Sequence, residues 1–463
     1  MTAGFSPTCV LRSHSVAAVR LDIVIPAGLA EQERPLQALF TCRCLREGTT
    51  RHTAAALAER LDWLGAWLDL SVSVHHSFVT LYTLRRFVPE TFRLVSDMLL
   101  HPTFPAERVD VVRANARSQH LVNCQRGDVV AQRRLGTAVY GPDHPCGRFA
   151  EEHDYDTLTR DDLVRFHRAH YHPSRFAIFL SGDVDDDVLG LTEQLFGDGR
   201  SIDKSRLTDF QTNFFRLTDF RLQTSDNSPA SESLAEHSSV SLNGRNSESH
   251  QACLNGRVVT DEGEAKSEVC QSDPHPSPLT SHPIILPTAV QASVRMGALL
   301  MDVASDDYYT FRIVTALLGG YFGSRLMQVV REERGLTYGI TADLYTNTRQ
   351  VFFVVSCETE ATQGEEVVRE VIRQCERLRD EPVSQEELTR VCHYMRGELL
   401  RNYEGVYARI DAHIFAHTLG LPADHLERTL AALHTTTPAD VQAVARRWLH
   451  PDRLTTIIVA PPR

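Results

Sequence analysis

Lysine is nearly missing from this chain. Of 463 residues, 48 are Lys or Arg, and the only lysines are Lys204 and Lys266. Both fall between residues 200 and 284, so every other cation is Arg. Against 60 Asp plus Glu the net charge is −12, and no dense basic run occurs. That balance argues against wrapping nucleic acid or an anionic membrane. No stretch of 18 or more apolar residues is present, so nothing reads as a membrane-spanning helix. The ten Cys are scattered except for Cys42 and Cys44, and none forms a Cys-x-x-Cys pair. Met1–Val10 lacks a basic-then-apolar leader pattern. The expectation is therefore reduced thiols and a cytoplasmic location rather than a disulfide scaffold. Gly319, Gly320 and Gly323 are not followed by the Lys-Ser/Thr of a phosphate loop, which disfavours nucleotide binding. What is present is 42% hydrophobic residues, enough for real cores in about two to four domains.

One region differs in kind. From Arg221 to His282 there is no Phe, Tyr or Trp, and 13 of the 62 residues are Ser. Such a segment cannot bury enough surface to offset its ordering entropy. Just before it, Arg206–Phe210 repeats as Arg216–Phe220. Residues 200–284 read as a linker enlarged by a polar, disordered insertion, for which a tolerated surface insert is the plainest account.

The flanks repeat each other at an offset of 278. Thr159–Arg175 runs into Phe176–Leu180, and Thr437–Arg453 runs into Leu454–Val459. Each copy has a Thr suited to cap a helix, apolar residues at helical spacing and a His-Pro that stops it. A β-rich run follows in each. Two homologous halves are implied, 1–199 and 285–463. Within them, Val16–Ile25 and Ala289–Met301 read as strands, and Leu68–Val74 with Phe78–Leu84 as a hairpin. Tyr338–Leu344 with Val351–Cys357 reads as a second hairpin. Pro35–Leu45, Ala54–Leu64, Glu107–Val139, Tyr308–Glu332, Glu365–Leu378 and Gln385–His417 read as helical. Strands beside long helical runs suggest an α+β class, with helices on one face of a mainly antiparallel sheet.

The sharpest local signature is Leu318–Gly339. Its glycines permit close backbone approach. Arg331 falls in the last turn of a helix that Gly335 can end in a left-handed cap. Tyr338 then opens a strand, so a guanidinium and a phenol can meet at one point. Such a pair suits a peptide carbonyl, a carboxylate or a developing oxyanion. On these residues alone the plainer account pairs Arg331 with a nearby Glu and packs Tyr338 in the sheet.

This passage resembles the second-half signature of the pitrilysin/insulinase metallopeptidase family, with the same glycine-rich turn, Ser-Arg-Leu and Arg-x6-Tyr. Leu45–Thr49 and Ala58–Gly65 resemble the stretch after that family's zinc motif, and His144–Arg148 and Gly182–Val184 follow in family order. The resemblance implies two α+β halves forming a clam-like chamber. It also implies that Arg331 and Tyr338 contact the substrate backbone. Active members carry His-x-x-Glu-His, whose two His bind zinc and whose Glu is the general base. Counted back from Gly48-Thr49, that motif falls on Leu39–Arg43. Leu39 and Arg43 take the histidine positions, Cys42 the base position, and the third ligand falls at about Gln119. Leu has no lone pair, Arg repels a cation and Gln substitutes poorly for carboxylate, so no zinc is expected on this chain.

Some family members divide the work between a zinc-bearing chain and one with only the Arg/Tyr half, and this sequence is similar to the second kind. The expectation is a catalytically incomplete subunit that binds peptide and complements a zinc-bearing homologue. The alternative is a peptide-binding or structural protein with no hydrolytic role.

Other constellations have ordinary readings. His172 recurs as His450 before Pro, which fits a helix stop better than a metal ligand, and His167 and His170 do not recur. His413 and His417 lie one helical turn apart, with Glu398 and Asp411 as conceivable further ligands, but a packed helix is the simpler account. His75-His76 is expected exposed at a hairpin turn. Cys42 and Cys44, two apart, face different sides of a helix.

Overall fold

The computed structural model describes residues 8–13, 15–197, 283–422 and 424–462. The Ser-rich stretch and its short duplication lie outside these residues. Two five-stranded sheets carry the fold. The first holds β1 (Cys9–Arg12), β2 (Ala18–Ile25), β3 (Trp67–Val72), β4 (Ser77–Leu84) and β5 (Ala177–Gly182), in the order β1-β5-β2-β4-β3. The second holds β6 (Ile284–Ile285), β7 (Ala292–Asp302), β8 (Thr337–Tyr345), β9 (Gln350–Thr359) and β10 (Thr455–Ala460), in the order β6-β10-β7-β9-β8. Counted from one to five within each sheet, the two orders are identical. In both, first and last strands pair parallel and all other neighbours antiparallel. The local repeat is thus a repeat of whole sheets.

The repeated caps form as the residue types require. Thr159 Oγ1 accepts from the Asp162 amide at 3.3 Å, and Asp162 accepts from the Thr159 amide at 2.9 Å. Thr437 and Asp440 do the same at 3.2 and 2.9 Å. These reciprocal bonds open the Arg160–His170 and Pro438–Trp448 helices by satisfying otherwise orphaned amides. At the far ends, His172 Nε2 meets the Arg168 carbonyl at 2.7 Å and His450 Nε2 meets the Arg447 carbonyl at 3.1 Å.

Three long helical readings are broken. The Glu107–Val139 run is two helices, Ala106–Asn123 and Gly127–Tyr140. Gln385–His417 divides into Gln385–Asn402 and Val406–Leu419 at Gly405, whose φ of 86° no α-helix accepts. Tyr308–Glu332 begins as a helix at Asp306–Thr315, widens to a π-type turn at Ala316–Gly320 and stops at Tyr321, which is extended. It resumes at Met327–Glu333. Strand β1 is too short to stand out in the sequence, whereas the Val88–Leu100 helix has Val88, Phe92, Val95 and Leu99 at helical spacing and was missed despite it.

Each sheet lays one face on its own half's helices. Leu21, Ile23, Leu81, Phe40, Phe92 and Phe166 share the first core; Met296, Phe311, Phe353, Val355, Val371 and Val441 share the second. The opposite faces are not bare, as helices on one face alone would leave them. The Val406–Leu419 helix of the second half covers the first sheet, where Val406, Ile410 and Ile414 pack on Leu11, Val24 and Phe179. The Gly127–Tyr140 helix of the first half covers the second sheet. There Val130 and Ala131 meet Leu286 and Val459, and Leu135 meets Phe352 and Val354. These two helices are themselves repeat mates, so the halves exchange equivalent elements. Each fully buried aliphatic side chain in these seams is worth roughly 1.5–3 kcal/mol. A buried clasp adds to the first seam: Arg20 Nη2 donates to Asp22 at 2.9 Å and to Asp411 of the exchanged helix at 2.5 Å. Tyr407 closes beside it by donating to the Ala18 carbonyl at 3.2 Å.

Candidate functional site

The degenerate motif lies on the short helix Gln37–Arg43. Gln37 fixes that helix by donating to the Asp162 carbonyl at 2.9 Å. Leu39 is 5% exposed and Cys42 is fully buried, both within the first core. The Cys42 thiol donates to the Ser71 carbonyl at 3.6 Å, and burial pushes its pKa up to about 12. It is an uncharged core thiol and a poor metal ligand. Arg43 makes no ion pair or hydrogen bond among the described residues, and burial lowers its guanidinium pKa. The phenol of Tyr155 is among the groups that offset this by favouring the charged form. Gln119 is exposed and donates to Asn123 at 3.1 Å. The residue of that helix that turns inward is its neighbour His120. Its ring lies 4.9 Å from Tyr155, which in turn packs edge-on against Phe40 at 6.1 Å. Aromatic packing of Phe40, Tyr155 and His120 thus joins the Gln37–Arg43 and Ala106–Asn123 helices. An aliphatic group, a core thiol and a guanidinium are donors unfit for zinc. Among the described residues no three His, Cys, Asp or Glu side chains gather to share an ion.

The other histidine and cysteine groupings are separate. His167 bonds the Leu99 carbonyl at 2.7 Å, while His170 meets Arg175 at 3.2 Å. His417 stands edge-on to Phe179 at 5.5 Å, and burial lowers the pKa of both His413 and His417. Glu398 pairs with Arg401 and Asp411 with Arg20. His75 is exposed, but His76 is half-buried at the hairpin turn, a correction to the exposed reading, and burial lowers its pKa to about 4. Cys44 is buried like Cys42.

The second half is organised differently. Gly335, with φ of 62°, caps the Met327–Glu333 segment as its composition requires; its amide donates to the Arg331 carbonyl at 3.1 Å. Two residues later the chain enters β8, the edge strand of its sheet. The register slips between Thr337 and Ile340, where one extra residue forms a bulge. Thr337 Oγ1 holds that bulge by donating to the Glu358 carbonyl at 2.5 Å and accepting from the Gly339 amide at 3.1 Å. The bulge turns Tyr338 outward, leaving it 93% exposed. Arg331 makes no ion pair or hydrogen bond among the described residues, so the plain pairing with a nearby Glu does not form. Its guanidinium instead sits 4.8 Å from the ring of Phe322, itself 63% exposed on the glycine-rich turn. A cation over an aromatic face is held flat with its donors free. Phe322 was not singled out in the sequence; an exposed Phe within a glycine-rich turn was the signal available. Arg331 over Phe322 offers donors beside an apolar ring, and Tyr338 offers a phenol at an edge open to a further strand.

Two five-stranded sheets of the same strand order, each packed with helices and the second ending in a bulged edge strand, define a duplicated α+β fold. The sequence profile described as "Peptidase M16 inactive domain" matches residues 157–395. The chain belongs to the peptidase M16 family, the pitrilysin-like metallopeptidases. It is 22% identical over 415 residues to an uncharacterized zinc protease of Mycobacterium tuberculosis, covering 89% of this chain and 80% of the relative. A shorter match, 26% over 155 residues, covers 33% of this chain and 34% of a probable mitochondrial-processing peptidase subunit beta of Schizosaccharomyces pombe. Among solved structures, a peptidase M16 inactive domain from Pseudomonas fluorescens aligns with a TM-score of 0.75 at 19% identity, over 100% of this chain and 98% of that one. A putative M16-like peptidase from Alicyclobacillus acidocaldarius aligns at 0.70 and 14%, over 100% and 98%. No helix among the described residues is long and apolar enough to cross a membrane.

Proposed function

We propose that this chain is a peptide-binding subunit that complements a zinc-bearing homologue in a hetero-oligomeric metalloendopeptidase. The zinc and the general base belong to the partner. Arg331 and Tyr338 of this chain hold the substrate backbone at the edge of β8. The observation that carries the reading is the contrast in exposure: the motif positions Leu39 and Cys42 are sealed, while Tyr338 stands open on β8 and Arg331 lies over the exposed ring of Phe322. Such donors are worth most where charge develops on a carbonyl oxygen.

The test is co-expression with a homologue carrying His-x-x-Glu-His, followed by peptide turnover. Turnover is expected only with both chains. Arg331→Ala and Tyr338→Phe are each expected to lower kcat by about 10²-fold, the scale for losing one oxyanion donor. Unchanged turnover in both variants removes the role given to them. Peptide binding without hydrolysis in any pairing would favour a binding protein instead.

A further inference from the structure

Between the halves lies a cavity of about 210 Å³. Its apolar walls include Val74, Tyr140 and Phe149 of the first half and Tyr345 and Phe352 of the second. Three charged groups border it: Asp128 pairs with Arg126 at 2.7 Å, Arg295 pairs with Glu358 at 2.7 Å, and Arg148 is exposed to solvent. Gln132, Asn347 and Ser356 add polar groups to the lining, and the rest of it is largely apolar. The volume is below the roughly 300–1,000 Å³ usual for drug-sized ligands and cofactors, and suits a single large side chain.

Its position relative to β8 matters more than its size. Tyr345, on the cavity wall, is the last residue of the strand that begins beside Tyr338. Seven residues separate the two, and the bulge near Tyr338 spends one without advancing the register. A strand laid along that edge would therefore pass about six residues, or roughly 20 Å, from one to the other. Side chains alternate along β8: Ile340 and Ala342 enter the core, so Thr341, Asp343 and Tyr345 take the opposite, cavity-side face.

We propose that this cavity is a second subsite of the peptide groove, taking one aromatic or branched aliphatic side chain about six residues from the residue held at Arg331 and Tyr338. This rests on the peptide-binding reading of that pair. The experiment is fluorescence anisotropy on the full chain, using labelled twelve-residue polar peptides with a single Leu or Phe moved stepwise along them. One position is expected to bind about tenfold tighter than the all-polar peptide. Asn347→Trp, which narrows the cavity, should erase that gain without changing the all-polar peptide's affinity. Independently of any variant, a photo-reactive phenylalanine analogue at the favoured position should cross-link to Tyr140, Phe149 or Phe352. Equal affinity at every position, while Arg331→Ala still weakens binding, would overturn the subsite and keep the reading of the pair. A positional preference that maps to the cavity but ignores Arg331→Ala would keep the subsite and overturn that reading.

Discussion

The turns that lead into the two edge strands are built alike and used differently. Gly65, with φ of 59°, precedes β3 as Gly335, with φ of 62°, precedes β8. Four residues before each glycine stand Leu61 and Arg331; three residues after stand Leu68 and Tyr338. In the first half both positions are leucines: Leu61 is 8% exposed, and Leu68 packs against the same satellite cluster with Leu57, Leu94 and Met98. In the second half the same places carry a free guanidinium and a phenol in solvent. The two glycine turns are alike, but β8 carries a bulge that β3 lacks, so local backbone and residue type together decide whether that place becomes core or site. The exchange also runs in the other direction. Of the degenerate motif positions, Leu39 and Cys42 are absorbed into the first core.

That contrast can be broken at several points. The largest effect is expected at the exchanged helices. Leu135→Asp and Ile410→Asp each put a carboxylate at a fully buried seam between halves. Each should cost more than about 4 kcal/mol and unfold both sheets in a single transition, measured by denaturant melts with hydrogen exchange. If one sheet keeps its protection, the halves do not depend on the exchange.

Next is an attempt to make the first half resemble an active relative. Leu39→His, Cys42→Glu and Arg43→His together should not bring stoichiometric zinc, because Gln119 faces solvent and the new Glu lies in apolar surroundings. A stability loss of roughly 3 kcal/mol is expected from unmatched polar burial. Metal content and a thermal melt decide it, and bound zinc would show that the core thiol site is still a metal site in waiting.

Smaller effects follow at the clasp and in the pH response. Asp411→Asn leaves Arg20 with Asp22 as partner, so a loss of about 1–2 kcal/mol is expected. The Arg331→Ala and Tyr338→Phe variants, being exposed, should stay within about 0.5 kcal/mol of the parent in the same melts.

Last, burial lowers both His76 in the first half and His425 in the second from 6.5 to about 4. Each binds a proton more readily when unfolded, so stability should be full above pH 6.5 and decline as pH falls towards 4. Replacing His76 with Phe should flatten part of that decline, and Tyr309, which bonds His425 Nδ1 at 3.1 Å, marks where the second half's share resides. A melt insensitive to pH across this window would remove both assignments.

Much of the fold was legible locally. The Thr-capped helices, the His-Pro stops and the two hairpins follow from signals within a dozen residues, and the 278-residue offset made the duplication visible without any contact. The long helices were overdrawn because a helical apolar period runs across Gly405 and Gly319 without marking their breaks. At the site, Arg331, Gly335 and Tyr338 could be placed from spacing. The inward turn of His120 beside an outward Gln119 could not, since one residue of helical phase separates them.

Sequence by itself determined that two like sheets would form and that Leu39 and Arg43 stand where histidines would be needed, because capping, turn chemistry and ligand type act on neighbours or on single side chains. Only the tertiary structure decided that helices 127–140 and 406–419 would cross to the opposite half, that Phe322 would lie under Arg331, and that a cavity would open at the end of β8. Those outcomes depend on which apolar faces are left uncovered once the sheets exist. Burial joins residues hundreds of positions apart and leaves no periodic mark along the chain.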